Sequence, residues 1–268
     1  MGRPGADNGL GLAAVLWDMD GTLVDSEKLW DVTLAELAEH LGGRLSAATR
    51  AAMVGRAIND TLALTFQEVG LVPTPDALAE AGRWLTERTG QLFATDLRWR
   101  PGALEALRVV RASGLATALV TSTQRVLVER ALDWIGRAYF DVVVCGDEVV
   151  ATKPAPDPYL MATELLGVLP WCCIAVEDSP AGAAAAAAAG CSVLVVPSEV
   201  AVPSGPGRIH RDGLLGLTVE ELFSTWSQAQ ARTIDPLRLS TRPVISRTGD
   251  SGPLPSNAGH PPSADGAS

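Results

Sequence analysis

Ala13-Ala14-Val15-Leu16-Trp17-Asp18-Met19-Asp20-Gly21-Thr22 joins a short apolar run to two aspartates set one residue apart. The run is unbroken and ends abruptly in polar residues, the pattern of a strand buried on both faces. At the exit of such a strand, Asp18 and Asp20 can reach one pocket if the chain leaves the extended conformation, and Gly21 permits that turn. Like charges held so close repel unless a cation lies between them. A plainer reading also fits this stretch: an Asx-type turn at a strand end, with Asp-Gly supplying the bend. The decade alone does not separate the two.

Further along, four more runs of the same kind lie at 115–122, 140–145, 172–178 and 191–197. Helical patterns at 103–113, 124–135, 158–167 and 180–190 alternate with them. Apolar strands alternating with helices predict a doubly wound α/β domain, a parallel Rossmann-like sheet covered on both faces. The alanine run 183–189 predicts a helix with little side-chain bulk, packed close to the sheet. One interval breaks the rhythm. About 100 residues separate Asp20 from Thr121, whereas a βαβ unit needs roughly 30. The excess has helical spacing at Leu29, Leu34, Leu37 and Leu41, and again at Leu62, Phe66 and Val69. Asn59-Asp60-Thr61 within it reads as a helix start. This all-helical insertion follows the first strand directly, so it stands above that strand's C-terminal end, where open α/β sheets place their sites. The expected organisation is a flexible N-terminus at 1–12, a core at 13–25 and 98–228, a helical cap at 26–97, and a Pro/Gly/Ser-rich disordered tail at 229–268.

Composition removes several function classes. The net charge of −10 argues against nucleic acid, whose phosphates call for a basic patch. No apolar run reaches the ~18 residues that would span a bilayer, and the first eleven residues contain no secretory h-region. The expected location is cytoplasmic. Cys145, Cys172, Cys173 and Cys191 sit in or beside apolar runs without zinc spacing and read as small core residues. Nucleophilic chemistry must therefore come from carboxylates.

A second acidic signal, Val176-Glu177-Asp178-Ser179-Pro180, also ends an apolar strand before a helix. Asp178 or Ser179 can cap that helix with Pro180 in its first turn. Capping leaves unexplained why Glu177 and Asp178 stand together at the mouth of a strand whose sheet already presents Asp18 and Asp20. Three or four carboxylates on one face suit a hard cation, and Mg²⁺ held by one or two carboxylates plus a substrate phosphate is a common arrangement. Thr121 and Ser122 end the strand at 115–122 and offer hydroxyls to a phosphate, or to the next helix as caps. Lys153 stands in Thr152-Lys153-Pro154-Ala155-Pro156-Asp157-Pro158, where the prolines restrict the backbone and would aim it inward. Asp157 reads as an N-cap with Pro158 following.

WDMDGTLVDSE, LVTST, KPAPDPY and VEDSPAGAAAAAAAG, in this order and spacing, resemble the four motifs of the haloacid dehalogenase superfamily. More narrowly they resemble its β-phosphoglucomutase-like branch, which carries a helical cap after the first strand. The resemblance spans residues 13–225 and implies a magnesium-dependent phosphatase acting on a small phosphorylated metabolite through an aspartyl-phosphate. It implies Asp18 as nucleophile and Asp20 as the acid, then base, for leaving group and water. Thr121 would bind phosphoryl oxygens with Ser122 beside it, and Lys153 would offset charge on Asp18 and the phosphate. Mg²⁺ would be held by Asp18, Asp178 and the backbone carbonyl of Asp20, with Glu177 assisting. Dehalogenases of the superfamily lack the second aspartate, so Asp20 points to phosphoryl chemistry. Sugar-phosphate mutases of the branch have cationic residues in the cap loop around Gly55. Val54 and Ile58 stand where a Lys and an Arg are expected, and Trp30 where a His is. Arg56 remains as a cap contact for substrate. The alternatives are such a mutase and a binding module without turnover, the latter weighed against by the presence of Asp18, Asp20 and Lys153.

Overall fold

The computed structural model describes residues 11–53, 56, 58–197 and 200–233. Nearly all of the expected flexible N-terminus, most of the expected tail, and Val54 and Gly55 of the cap loop lie outside the described residues.

Among the described residues six strands form one sheet: β1 (Ala14–Trp17), β2 (Ala116–Val120), β3 (Val142–Val144), β4 (Cys173–Glu177), β5 (Ser192–Val195) and β6 (Arg208–His210). Their order is β3-β2-β1-β4-β5-β6, and every neighbouring pair is parallel. Each apolar run read from the sequence contains a strand. The strands stop short of the runs because the last residues leave the ladder at the sheet's C-terminal edge. β6 has no apolar run of its own; Arg208 and Ile209 are only partly buried, and pairing with β5 makes the strand.

Alternation along β1 explains the layers. Val15 and Trp17 enter one core with α5 (Ala103–Ser113), α6 (Arg125–Ile135) and α9 (Val219–Thr233). Ala14 and Leu16 enter the other with α7 (Asp157–Leu166) and α8 (Pro180–Ala189). Ala183, Ala185 and Ala186 of α8 are fully buried against the sheet, as their lack of bulk allows. α9 continues through Thr233, past the core boundary expected at 228. The four cysteines are free and buried. Asp157 is not an N-cap. It is the first residue of α7, with Pro156 before it, so its carboxylate lies at the positive end of the helix dipole.

Between β1 and α5 the described residues form four cap helices: α1 (Glu27–His40), α2 (Ala47–Met53), α3 (Ile58–Glu68) and α4 (Pro75–Asp96). They bury a core of their own around Leu34, Leu37, Met53, Leu62, Phe66 and Leu85. α4 is started by Thr74, whose hydroxyl accepts from the Ala77 N–H at 3.3 Å, with Pro75 in the first turn. The far half of α4 packs on α6. A side chain at Gly90 would fall on the Arg130 guanidinium, and Thr86 Oγ1 donates to Gln124 Oε1 at 3.4 Å. The cap is thereby tied to the core next to the edge of the sheet. No helix among the described residues is long and apolar enough to cross a membrane.

The chain runs outward from β1 through β2 and β3, then returns to the other side of β1 for β4. The crevice outside the carboxyl ends of β1 and β4 is therefore the topological switch point. Trp17 pairs level with Leu119 and Val176. Asp18, Thr121, Glu177 and Asp178 consequently emerge at one edge, beneath the cap.

Candidate active site

Asp18 leaves the ladder with its N–H still donating to the Val176 carbonyl at 3.1 Å, so its backbone is fixed by the sheet. Gly21 takes φ 81°, where a side chain would be strained, and its N–H donates to the Val24 carbonyl at 2.9 Å. The turn expected after Asp18 is thus made, and it sends the two aspartates to different partners.

The Asp18 carboxylate belongs to a buried ionic group. Lys153 Nζ donates to Asp18 Oδ1 at 2.7 Å, Glu177 Oε1 at 2.6 Å and the Val120 carbonyl at 2.9 Å. Asp18 is 6% exposed, Lys153 5%, Asp178 2% and Glu177 0%, so these charges are out of water. Burial pushes the Asp18 carboxyl well above its usual range; Lys153 opposes this, and Glu177, Asp178 and Asp20 add to it. Burial alone would pull the Lys153 ammonium down, but Asp18 and Glu177 together outweigh it and hold it above its usual value.

Ligand oxygens of Asp18, Glu177 and Asp178 lie within 4.8 Å of one another. Three carboxylates with one ammonium among them leave an excess of negative charge in a dry site, which adds to the upward push that burial gives Asp18. All-oxygen donors in that state fit a hard cation such as Mg²⁺. Glu177 is the most committed of the three. Its Oε1 also accepts from Tyr159 Oη at 2.6 Å, and its Oε2 accepts from Ser179 Oγ at 3.1 Å. Gly182 of α8 presses on the same carboxylate so closely that a Cβ there would collide with it. Asp178 accepts from Thr22 Oγ1 at 3.3 Å. Of the two capping alternatives, Ser179 takes the role by accepting from the Gly182 N–H at 3.0 Å, which leaves Asp178 to the site.

Asp20 lines the same cleft with its own set of donors. Its side chain is not part of the acidic cluster. Oδ1 accepts from Ser26 Oγ at 2.6 Å and Trp30 Nε1 at 3.3 Å; Oδ2 accepts from Thr123 Oγ1 at 2.7 Å and Thr121 Oγ1 at 3.2 Å. Those donors come from α1, its cap residue and the end of β2, so the orientation of Asp20 depends on cap and core together. Thr121 also accepts from the Thr123 N–H at 3.1 Å. Ser122 lines the same cleft, and its Oγ is buried with no hydrogen-bond partner among the described residues. Such an orphan hydroxyl is costly unless something in the cleft satisfies it. Arg56 is exposed and lines the cleft from the cap.

Several residues of this arrangement had no sequence signal strong enough to single them out. Thr123 closes the stretch LVTST, but only the bend at Ser122 and Thr123 brings its hydroxyl onto Asp20 beside that of Thr121. Tyr159 closes the stretch KPAPDPY, but only the tertiary packing brings its hydroxyl to Glu177. The indole of Trp30 reaches Asp20 from the position where a histidine was expected, and Glu27 and Arg50 join it in the cleft wall.

With this geometry in hand, comparison with known proteins is informative. The model of the haloacid dehalogenase-like hydrolases matches residues 12–190. The chain belongs to that family, and with it to the hydrolases. Within the family, it is 33% identical over 196 residues to the protein CbbY of Rhodobacter capsulatus, covering 70% of this chain and 86% of the relative. It is equally 33% identical over 180 residues to the phosphorylated carbohydrates phosphatase of Thermotoga maritima, covering 67% and 82%. The crystal structure of CbbY from Rhodobacter sphaeroides in complex with xylulose bisphosphate superposes with a TM-score of 0.71 at 28% identity, covering 79% of this chain and 99% of that one. A helical cap over a Rossmann-like sheet is the architecture shared with β-phosphoglucomutase from Clostridium difficile, whose TM-score is also 0.71 at 18% identity.

Proposed function

We propose that this chain is a magnesium-dependent phosphatase that hydrolyses a small phosphorylated metabolite, a sugar phosphate or similar phosphomonoester, through an aspartyl-phosphate on Asp18. The observation that carries the reading is the pairing of Asp18 with Lys153 inside a carboxylate cluster, while Asp20 is held apart from it by its own set of donors. Relatives named as phosphatases support the same class.

In this reading the Asp18 carboxylate attacks phosphorus, and the bond from phosphorus to the leaving oxygen breaks. Asp20 gives its proton to that oxygen. Water then attacks the aspartyl-phosphate, Asp20 takes the proton, and the bond between phosphorus and Asp18 breaks to release inorganic phosphate. Splitting one displacement into two suits a fixed carboxylate nucleophile. Lys153 holds Asp18 in place and offsets charge on the phosphoryl oxygens. Thr121 and Ser122 offer hydroxyls to those oxygens. Ser122 is already unpartnered, whereas Thr121 must release Asp20 first, which links phosphate binding to freeing the acid. Asp18, Asp178 and the Asp20 carbonyl, supported by Glu177, would hold Mg²⁺, whose charge stabilises the phosphoryl group in transfer. The reading places the reaction in the cytoplasm, where small phosphorylated metabolites are kept.

The test is phosphate release from a panel of phosphorylated metabolites, with and without Mg²⁺, by the wild-type chain and Asp18→Asn. Turnover requiring Mg²⁺ and falling at least ~10⁴-fold in Asp18→Asn is expected, as for loss of a nucleophile. Silence on the whole panel, or undiminished activity in Asp18→Asn, would remove the reading.

A further inference from the structure

Among the described residues, the cap wall of the cleft sets one ion-pair group into a surface that is largely apolar, with Arg56 at its exposed rim. Trp30, Leu34, Met53 and Ile58 supply the apolar part. Arg50 of α2 reaches across to α1, where its Nη2 donates to Glu27 Oε2 at 3.2 Å and its Nε to Asp31 Oδ1. The Glu27 and Arg50 side chains are 9% and 17% exposed, and both line the cleft, while Asp31 closes the pair from outside at 43%.

An arginine in such a wall would ordinarily be the group that grips a second phosphate or a carboxylate on the substrate, by a charge-assisted fork. Here two carboxylates already hold it. A second anion approaching Arg50 would meet the Glu27 charge beside it, in a cleft walled by apolar groups that weaken screening. Rotating Arg50 free would break its bonds to the Glu27 and Asp31 carboxylates, which is itself unfavourable. A neutral leaving group meets neither obstacle. Its hydroxyls can donate to the Glu27 carboxylate, and its carbon face can cover Met53 and Trp30.

We infer that the Glu27–Arg50–Asp31 group selects monophosphates of uncharged, hydroxyl-bearing alcohols and rejects substrates with a second anionic group. This inference rests on the phosphatase reading above and names the substrate class of that same site. Arg56 at the exposed rim is the cation that could counter it, so the test includes it.

The experiment compares kcat/KM for a hexitol phosphate and for xylulose bisphosphate, using the full chain with Mg²⁺. In parallel, calorimetry measures the binding of both compounds to Asp18→Asn, which needs no turnover. Wild type is expected to favour the hexitol phosphate by about tenfold or more, and Glu27→Gln to shrink that ratio by about tenfold, chiefly through KM for the bisphosphate. Should Glu27→Gln fold poorly, Asp31→Asn on the half-exposed side releases Arg50 more gently and is expected to shift the ratio in the same direction. Equal or better use of the bisphosphate by wild type overturns the proposal, and its loss in Arg56→Gln would assign the second anion to Arg56. An unchanged ratio in both Glu27→Gln and Asp31→Asn overturns it as well. If no protein turns over either compound, the full metabolite panel decides the phosphatase reading, and the binding ratio in Asp18→Asn, alone and combined with Glu27→Gln, still decides the selection.

Discussion

The floor of the cleft and its cap wall are built from opposite materials. The floor is a dry set of charges in which Asp18, Lys153, Glu177 and Asp178 have almost no access to solvent; the three carboxylates stand at strand ends, and Lys153 reaches them from the loop before α7. The wall is mostly hydrocarbon among the described residues, carried by helices with a separate small core, with the Glu27–Arg50–Asp31 group set into it and Arg56 at its rim. A sheet fixes backbone positions to within its register, so charges that must meet a phosphoryl group are well placed there. Helices of a cap can change their surface residues without disturbing that register. On the proposed reading, the difference assigns the reaction to the sheet edge and the choice among substrates to the wall. Asp20 belongs to both, since Ser26 and Trp30 hold it from the cap side and Thr121 and Thr123 from the core.

The comparison can be broken most severely at Lys153. Lys153→Ala leaves Asp18 and Glu177 facing each other in a buried site without their shared cation, at an expected cost of about 3–5 kcal/mol. Denaturant unfolding would measure it, and Mg²⁺ should restore part of the loss by replacing the missing positive charge. A cost below about 1 kcal/mol would show that the floor is not the dry, coupled network described.

Thr123→Val tests the residue that joins floor to wall. It removes the shorter of the two bonds to Asp20 Oδ2 and keeps the shape of the side chain. A loss in kcat of about 10²-fold with KM and stability little changed is expected if Asp20 must be held for proton transfer. A change confined to KM would transfer Thr123 to substrate binding.

The smallest effect is expected in the wall. Met53→Ala shortens an apolar side chain that lines the cleft and is 3% exposed. KM for a good substrate should rise about 3- to 10-fold with kcat within about twofold, the signature of uniform binding lost from a remote contact. A fall in kcat as large as that of Thr123→Val would erase the distinction between wall and floor.

How much of this was legible beforehand follows the same division. The apolar runs and the residues at their ends could be read because a parallel sheet needs buried strands, and buried strands stop where chemistry begins. Asp18, Thr121, Lys153, Glu177 and Asp178 are all such residues or stand in a constrained loop, and the structure gathers them at one edge. Asp157 was misread because Pro-Asp-Pro satisfies two helix starts one residue apart, and local sequence does not distinguish an N-cap from a first-turn residue. β6 was missed because an edge strand of Arg-Ile-His is made by its neighbour and not by its own pattern.

The sequence by itself determined the class of fold, the insertion of a helical cap after the first strand, and the acidic character of the site, since periodicity and strand-end residues are local properties. Only the tertiary structure decided which carboxylate faces which partner. Asp18 and Asp20 are one residue apart in the chain, yet one lies on Lys153, 135 positions away, and the other on Thr121 and Thr123, 101 and 103 positions away. The same holds for Tyr159 behind Glu177, Trp30 on Asp20, and Arg50 neutralised across the cap wall. Those pairings depend on strand order and helix packing, which bring distant residues within bonding distance and leave no trace in any short window of sequence.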